Sequence, residues 1–148
     1  MNKAFVKEPD TTVTAQCPRC GSLGVAVGEA TLDAHLPGPT RQMLGDAAFF
    51  CPYPTCEVAY FDAFERTVPV EALAEPVYPK DPAAPICPCF GFTCAVVDQD
   101  IAEGSVQRTR ALIEKARSPE ARCATRAADG RSCVAEVQRY YMHHRPQA

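Results

Sequence analysis

The sequence has no apolar segment of the length that a membrane-spanning helix needs. Its first 14 residues, MNKAFVKEPDTTVT, have no apolar core of the kind found in secretory signals. It also has no Ser-His-Asp arrangement, no Gly-rich phosphate loop and no helical H-E-x-x-H. We therefore expect a cytoplasmic protein that does not insert into membranes and is not a hydrolase or a nucleotide-dependent enzyme.

Tryptophan is absent, and there is no excess of positive charge over the whole chain, since the net charge is −3. Phosphate binding depends on cationic contacts, so we expect no nucleic-acid partner. The 148 residues allow one domain or two small ones. Domains of about 70 residues usually need a metal, disulfides or an oligomer interface for stability.

Nine cysteines are the most informative feature of the chain. They comprise a C-x2-C (Cys17, Cys20), a C-x4-C (Cys51, Cys56), a C-x-C (Cys87, Cys89), and Cys94, Cys123 and Cys133. An odd number argues against a fully paired disulfide framework, and disulfides are rare in the cytosol. Paired cysteines in that compartment more often bind metal, so we expect metal sites.

Prolines divide the chain. Six of them fall between residues 68 and 88, and this stretch can be neither a helix nor a central strand because proline lacks an N–H. We interpret residues 71–85 as an extended proline-rich linker. The predicted lobes on either side span residues 12–70 and 86–145.

The two lobes differ in their predicted secondary structure. Short β-type segments at 24–27, 48–51 and 57–61 suit a half-buried sheet, and residues 31–45 form a turn or short helix. The second lobe is helical, because Cys94, Val97 and Ile101 recur at the spacing of one helix face, up to Gly104. Ser105 and Ser132 are the predicted N-caps of two further helices. The predicted class is α+β, a β-rich lobe followed by a helical lobe.

The first cysteine set comprises Cys17, Cys20, Cys51 and Cys56. A C-x2-C followed by Gly21 is a zinc-knuckle sequence, and the second pair suits the tip of a β-hairpin. Four thiolates around one ion form a closed structural zinc site. His35 lies between the pairs, either as a ligand or neighbouring group or, as we favour, as a packed or surface histidine.

The second cysteine set comprises Cys87, Cys89, Cys123 and Cys133. Its spacing is poor for a zinc knuckle, but a [2Fe–2S] cluster accepts two thiolates on each iron from separated segments. Helix N-termini at these cysteines would direct N–H groups towards an anionic cluster. Residues 104–148 carry nine Lys or Arg against four Asp or Glu, which suits an anionic cluster or an acidic partner surface.

These motifs resemble a known family. Residues 87–92 (CPCFGF) and 123–133 (CATRAADGRSC) are similar to the cluster motif in the iron–sulfur amino-terminal domain of the CopZ copper chaperones. Residues 17–21 (CPRCG) and 50–61 (FCPYPTCEVAYF) are similar to the zinc motif of the same domain. The resemblance covers about residues 15–142. The second half also resembles the [2Fe–2S] domain of the bacterioferritin-associated ferredoxin type.

The resemblance implies a role for each cysteine set: the second set would hold a [2Fe–2S] cluster and the first would hold Zn²⁺. It also implies a metallochaperone-type, electron-transfer function in copper homeostasis, in which one electron reduces Cu(II) to Cu(I) for delivery. Copper would be the cargo, and the partner would be a copper-carrying protein or a copper-transporting ATPase.

Two departures from the family bear on this expectation. The sequence has no M-x-C-x-x-C copper loop, so either a separate protein carries the copper or the chain acts as a stand-alone redox module. Family members often have a cysteine just before the last ligand, where this chain has Ser132.

Other readings of the cysteines stay open. The thiols could store or deliver Cu(I) or Zn²⁺ directly with no redox role, or the chain could be a two-zinc interaction module. Cys94 is either a core thiol or a spare ligand. His143 and His144 are either copper or zinc ligands or part of a solvated tail.

Overall fold

The computed structural model describes residues 15–45 and 47–146. The first positions of the predicted first lobe, residues 12–14, lie outside these ranges. The elements in chain order are β1 (Val25–Val27), α1 (Glu29–His35), α2 (Gly38–Arg41), β2 (Ala48–Phe50), β3 (Val58–Asp62), β4 (Thr67–Pro69), α3 (Cys94–Glu103), α4 (Gln107–Ala116), α5 (Cys123–Arg126) and α6 (Val134–His144). The predicted α+β class is confirmed.

The four strands form one antiparallel sheet in sequence order. Side chains alternate between the faces of a strand. Phe49 and Phe61 therefore stack on one face, with ring centroids 5.4 Å apart, while Phe50 and Tyr60 pack on the other. Both faces of the central strands are buried. The three predicted β segments match β1, β2 and β3 to within one residue, whereas β4 was not predicted.

The first face of the sheet packs against the first cysteine set, and the second face packs against α1. The predicted turn or short helix at residues 31–45 consists of two short helices, α1 and α2. Pro37 is the cap residue at the start of α2, and Leu36 ends α1 with extended backbone. Leu32 and Leu36 bury their side chains in the core beneath the sheet.

The helices of the second half pack around their own core. The predicted face of α3 is confirmed, since Cys94 and Val97 are buried, and Gly104 ends the helix with a left-handed φ of 69°. The structural cap of α4 is Val106 rather than Ser105, although the Ser105 hydroxyl accepts the N–H of Gln107 at 3.1 Å. Within the described ranges, no helix is long and apolar enough to cross a membrane.

The proline-rich segment consists of turns that pack onto the rest of the molecule. A 3₁₀ turn occupies Val70–Ala72, and a second one occupies Pro88–Phe90. Between them, Val77 is buried against the sheet core, while Ile86 is buried in the helical core. The lobe boundaries at residues 70, 71, 85 and 86 stay predictions.

The Asp100 carboxylate connects α3 to α4 and is fully buried. It accepts the Thr109 N–H at 2.8 Å, the Thr109 hydroxyl at 2.9 Å and the Arg108 guanidinium at 2.9 Å. Burial would raise the pKa of Asp100, but the hydrogen bonds from Thr109 and Arg108 hold it below its ordinary value of 3.8. The carboxylate therefore serves as the polar cap of α4.

We expect Asp100→Asn to lower the free energy of unfolding by about 2 kcal/mol at pH 7, because an amide cannot accept all three hydrogen bonds as an anion does. The native pKa is depressed, so this stabilisation is complete well above pH 3.8 and is lost as pH falls through the native pKa. The difference in unfolding free energy between wild type and variant, measured with urea, should therefore disappear in acid. The control, Glu103→Gln, removes only an exposed ion pair with Arg108 and should have a smaller effect. A gap that is constant with pH would contradict this assignment.

Candidate metal centres

The first cysteine set is formed by two loops that meet at one end of the sheet. Cys17 and Cys20 lie in a tight turn, closed by the Gly21 N–H bonding to the Cys17 carbonyl at 2.9 Å, with Gly21 at a φ of 79° that favours glycine. Cys51 follows β2 and Cys56 precedes β3, so the second pair lies in the loop of the β2–β3 hairpin. The predicted hairpin position is confirmed.

The four sulfurs of this set have the spacing of a tetrahedral ion site. The Sγ atoms of Cys17 and Cys56 are 3.9 Å apart, those of Cys20 and Cys51 are 3.6 Å apart, and all four lie within 4.8 Å of one another. Ligands at 2.3 Å from a tetrahedral ion are about 3.8 Å apart. The two given separations are therefore close to those around a single zinc ion.

Backbone N–H groups support negative charge on these sulfurs. The N–H of Arg19 points at Cys17 Sγ at 3.4 Å, and that of Val58 points at Cys56 Sγ at 3.5 Å. Burial works against a thiolate at Cys20, yet hydrogen bonds from Ser22 and from neighbouring thiols lower its pKa to about 6. The first thiolate therefore forms readily at the exposed edge of the site.

Lys80, from the proline-rich segment, closes the hairpin loop. Its ammonium donates to the carbonyl of Tyr53 at 2.7 Å and to that of Cys56 at 3.1 Å. These bonds hold the loop between Cys51 and Cys56 in its ligand-bearing shape. Sequence reasoning missed this residue, because a single lysine in a linker carries no pattern that points to a loop 24 positions away.

The second cysteine set comes from three separate places. Cys87 and Cys89 lie in a loop that closes through paired backbone bonds between Cys87 and Phe92, at 3.0 and 3.1 Å. Cys123 is the first residue of α5, and Cys133 is the cap residue of α6. The predicted position of Cys133 at the start of the last helix is confirmed, whereas α5 was not predicted.

The structure brings these four thiols near one another. Cys133 has the largest effect on the pKa of Cys87, and Cys89 has the largest effect of any thiol on the pKa of Cys123. Cys87 and Cys133 are buried, while Cys89 and Cys123 are half-buried. In the described part of the chain, the convergence of all sulfurs within 4.8 Å seen in the first set is not repeated here. The second set is thus a wider arrangement than the first.

Electrostatics within the second set favour one ionised thiol in the buried pair. A hydrogen bond from Cys133 lowers the pKa of Cys87 to about 7, and the same pairing, with burial, raises the pKa of Cys133. The N–H of Arg122 points at Cys89 Sγ at 3.2 Å. Four thiolates this close repel one another, so full ionisation requires a cationic centre.

Three side chains of the first half hold the segment that leads from Cys123 to Cys133. The Thr31 hydroxyl donates to the Ala124 carbonyl at 2.6 Å, the His35 Nε2 hydrogen-bonds the Ala127 carbonyl at 3.2 Å, and the Tyr60 hydroxyl donates to the Ala128 carbonyl. His35 is therefore the packed histidine that the sequence favoured rather than a group at the zinc site. All three donors are buried, so the first half fixes the backbone between two cysteines of the second set.

The remaining candidates lie elsewhere. Cys94 is buried on α3 in the helical core, against which Tyr78 and Tyr140 pack, as a core thiol would be. His143 and His144 are exposed in the last turn of α6. His144 stacks on Tyr140 with ring centroids 4.0 Å apart, and its Nδ1 hydrogen-bonds the Tyr140 carbonyl at 2.9 Å.

A family model and a solved structure both match this chain. Residues 14–74 match the family model zf_CopZ, described as a zinc-binding domain, and this segment contains the whole first cysteine set. The predicted CopZ resemblance is confirmed. An X-ray structure of the Archaeoglobus fulgidus CopZ N-terminal domain aligns with 90% of this chain and 100% of its own, at a TM-score of 0.71 and 20% identity.

The structural match extends over both halves of the chain, whereas the family model stops before the second cysteine set. At 20% identity the match shows a shared CopZ-like fold. No curated protein matches the chain. The ferredoxin resemblance of the second half, and with it the cluster ligands, stays a prediction.

We expect Tyr60→Phe to loosen the segment between Cys123 and Cys133, because it removes the hydroxyl that bonds the Ala128 carbonyl. The loss should be about 1–2 kcal/mol of unfolding free energy. Hydrogen–deuterium exchange should be faster at residues 124–130 and unchanged at the first cysteine set. Tyr53→Phe, which removes a half-exposed phenol, is the matched control. Unchanged exchange in Tyr60→Phe would show that this hydrogen bond does not hold the segment.

Proposed function

We propose that this protein is a zinc-stabilised iron–sulfur protein that transfers single electrons in copper handling. The observation that carries the proposal is the difference between the two cysteine sets. The sulfurs of one set all lie within 4.8 Å of one another, as they would around a single tetrahedral ion, whereas those of the other set are spread more widely.

The first set is suited to a structural role. Its four thiols complete a tetrahedral shell, so a bound Zn²⁺ has no open position for a substrate. Three of the four cysteines are buried, and they pack with Phe49 and Phe61 of the sheet. Zinc would therefore link the turn at Cys17 to the β2–β3 hairpin.

The second set is suited to a [2Fe–2S] cluster, which takes four thiolates, two on each iron. When bound, such a cluster supplies a one-electron redox centre. Cys87 and Cys133 exclude water from one side of the site, while Cys89 and Cys123 face its accessible side. The N–H of Arg122 and the N-terminus of α6 place partial positive charge beside the sulfurs, which stabilises added negative charge.

Copper would be the substrate of this electron. One electron converts Cu(II) to Cu(I), the form that soft thiolate ligands of a carrier prefer. The support for copper is the CopZ resemblance, which also suggests the partners: a copper-carrying protein or a copper-transporting ATPase. The reduced ion would leave on the thiols of such a partner.

We expect the two sets to be separable by mutation in protein purified without oxygen. Cys123→Ala should abolish the visible absorption that dithionite bleaches, and the bound iron, while keeping about one zinc per chain. Cys20→Ala should lose zinc before iron, because the closed zinc shell would have only three thiolates. Metal analysis and visible spectra of each variant provide the measurement.

The matched control is Cys94→Ala, which removes a buried thiol outside both sets and should keep iron and zinc. A Cys123→Ala protein with normal colour and iron would overturn the ligand assignment. A wild-type protein that holds zinc, takes no iron and binds Cu(I) would favour direct thiol storage or delivery instead.

A further inference from the structure

The accessible side of the second cysteine set is bordered by three cations. Cys89 and Cys123 are half-buried, and Lys115, Arg122 and Arg126 around them are exposed. We call these three residues the cationic rim. They come from the end of α4, from the residue before α5 and from the last residue of α5.

Contacts place each rim residue beside the loop that carries Cys89. The Arg122 N–H is 3.2 Å from Cys89 Sγ, and the Arg126 guanidinium is 3.5 Å from the Pro88 carbonyl. The Lys115 ammonium lies 5.9 Å from the ring centroid of Phe90, the residue after Cys89. The rim therefore surrounds the side of the site where the sulfurs are least covered.

The charges of the rim are not neutralised within the described ranges. No carboxylate there lies within 4.0 Å of Lys115, Arg122 or Arg126, whereas Arg108 and Arg139 both form ion pairs with acids on their own half of the chain. Exposed unpaired cations around one opening set a local positive potential, even though the whole chain has a net charge of −3.

We propose that the cationic rim is the docking surface for the acidic face of a protein that exchanges one electron with the second cysteine set. The inference rests on the proposed function. Charge complementarity identifies the partner class, because an acidic surface is attracted to the cations at this opening. The exchange breaks no bond: one partner is oxidised by one electron and the other is reduced by one.

The dependence of reaction rate on ionic strength distinguishes the effect of the local charge from the effect of the net charge. Screening acts over about 10 Å at 0.1 M salt, so an incoming anion responds mainly to the charges at the opening. If the rim governs approach, anions should be attracted. If the net charge of −3 governs it, anions should be repelled.

The first test measures the oxidation of dithionite-reduced, metal-loaded protein by two small probes in stopped flow. The hexacyanoferrate(III) anion should react more slowly as salt rises from about 10 mM to about 500 mM, and the hexaamminecobalt(III) cation should react faster. Arg122→Glu and Arg126→Glu should each lower the rate of oxidation by the anion roughly tenfold at low salt and raise the rate of oxidation by the cation. The opposite salt dependence, or unchanged rates in both variants, would overturn the docking surface while leaving the cluster in place.

The second test needs no cluster. In zinc-loaded protein without iron, we expect anionic iodoacetate to alkylate Cys89 and Cys123 faster, relative to neutral iodoacetamide, in the wild type than in Arg122→Glu or Arg126→Glu. Because the thiolate fraction affects both reagents equally, the ratio reports the local potential alone. An equal ratio in the wild type and in both variants would overturn the rim.

Arg145→Glu is the control for both tests. It makes the same charge change on an exposed arginine at the far end of α6, roughly 18 Å along the helix from Cys133, and should leave rates and ratios nearly unchanged. An effect equal to that of Arg122→Glu would mean that net charge, not the rim, governs approach. Failure to form any redox-active cluster would overturn both the proposed function and the electron-exchanging partner.

Discussion

The hydrogen bonds that Thr31, His35 and Tyr60 make to carbonyls of residues 124–128 are the constraint on which the rest of the structure depends. They join side chains of the first half to the backbone between two cysteines of the second set. A short helix of four residues is not stable by itself, so α5 owes its place to these contacts. Gly130 shows how closely the segments meet, since a Cβ there would lie 2.6 Å from the Thr31 hydroxyl oxygen. The two thiol sets are therefore parts of one packed structure.

The two sets use the same chemical group in different ways. In the first, the turn at Cys17 and the β2–β3 hairpin loop bring four sulfurs to the corners of one tetrahedron. Backbone N–H groups two residues after Cys17 and Cys56 point at the sulfurs of those cysteines. In the second, Cys87 and Cys89 lie in one loop while their partners arrive from the starts of two helices. The closed shell suits a metal that stabilises the fold. The wider arrangement, half open beside cations, suits a centre that exchanges charge with the outside.

Local pattern predicted most of the regular structure. Residue types that favour strands predicted β1 to β3. The spacing of Cys94, Val97 and Ile101 predicted α3, because burial of one helix face leaves a period in the sequence. β4 and α5 were missed for the opposite reason. Each is too short to show a period, and each is held by long-range contacts: β4 by pairing with β3, and α5 by packing on α1. The cap of α4 was placed one residue too early, because its polar partner, Asp100, comes from another helix.

What the sequence by itself determined is the cysteine motifs, the α+β class and the CopZ resemblance, because these depend on residue types at short, fixed spacing. Only the tertiary structure decided which thiols meet, how far apart they lie and which side of each site is open. It also decided that His35 bonds the Ala127 carbonyl and that Lys80 bonds the carbonyls of Tyr53 and Cys56. The physical reason is that these contacts join residues between 24 and 93 positions apart, and contacts at such separations are set by packing rather than by local spacing.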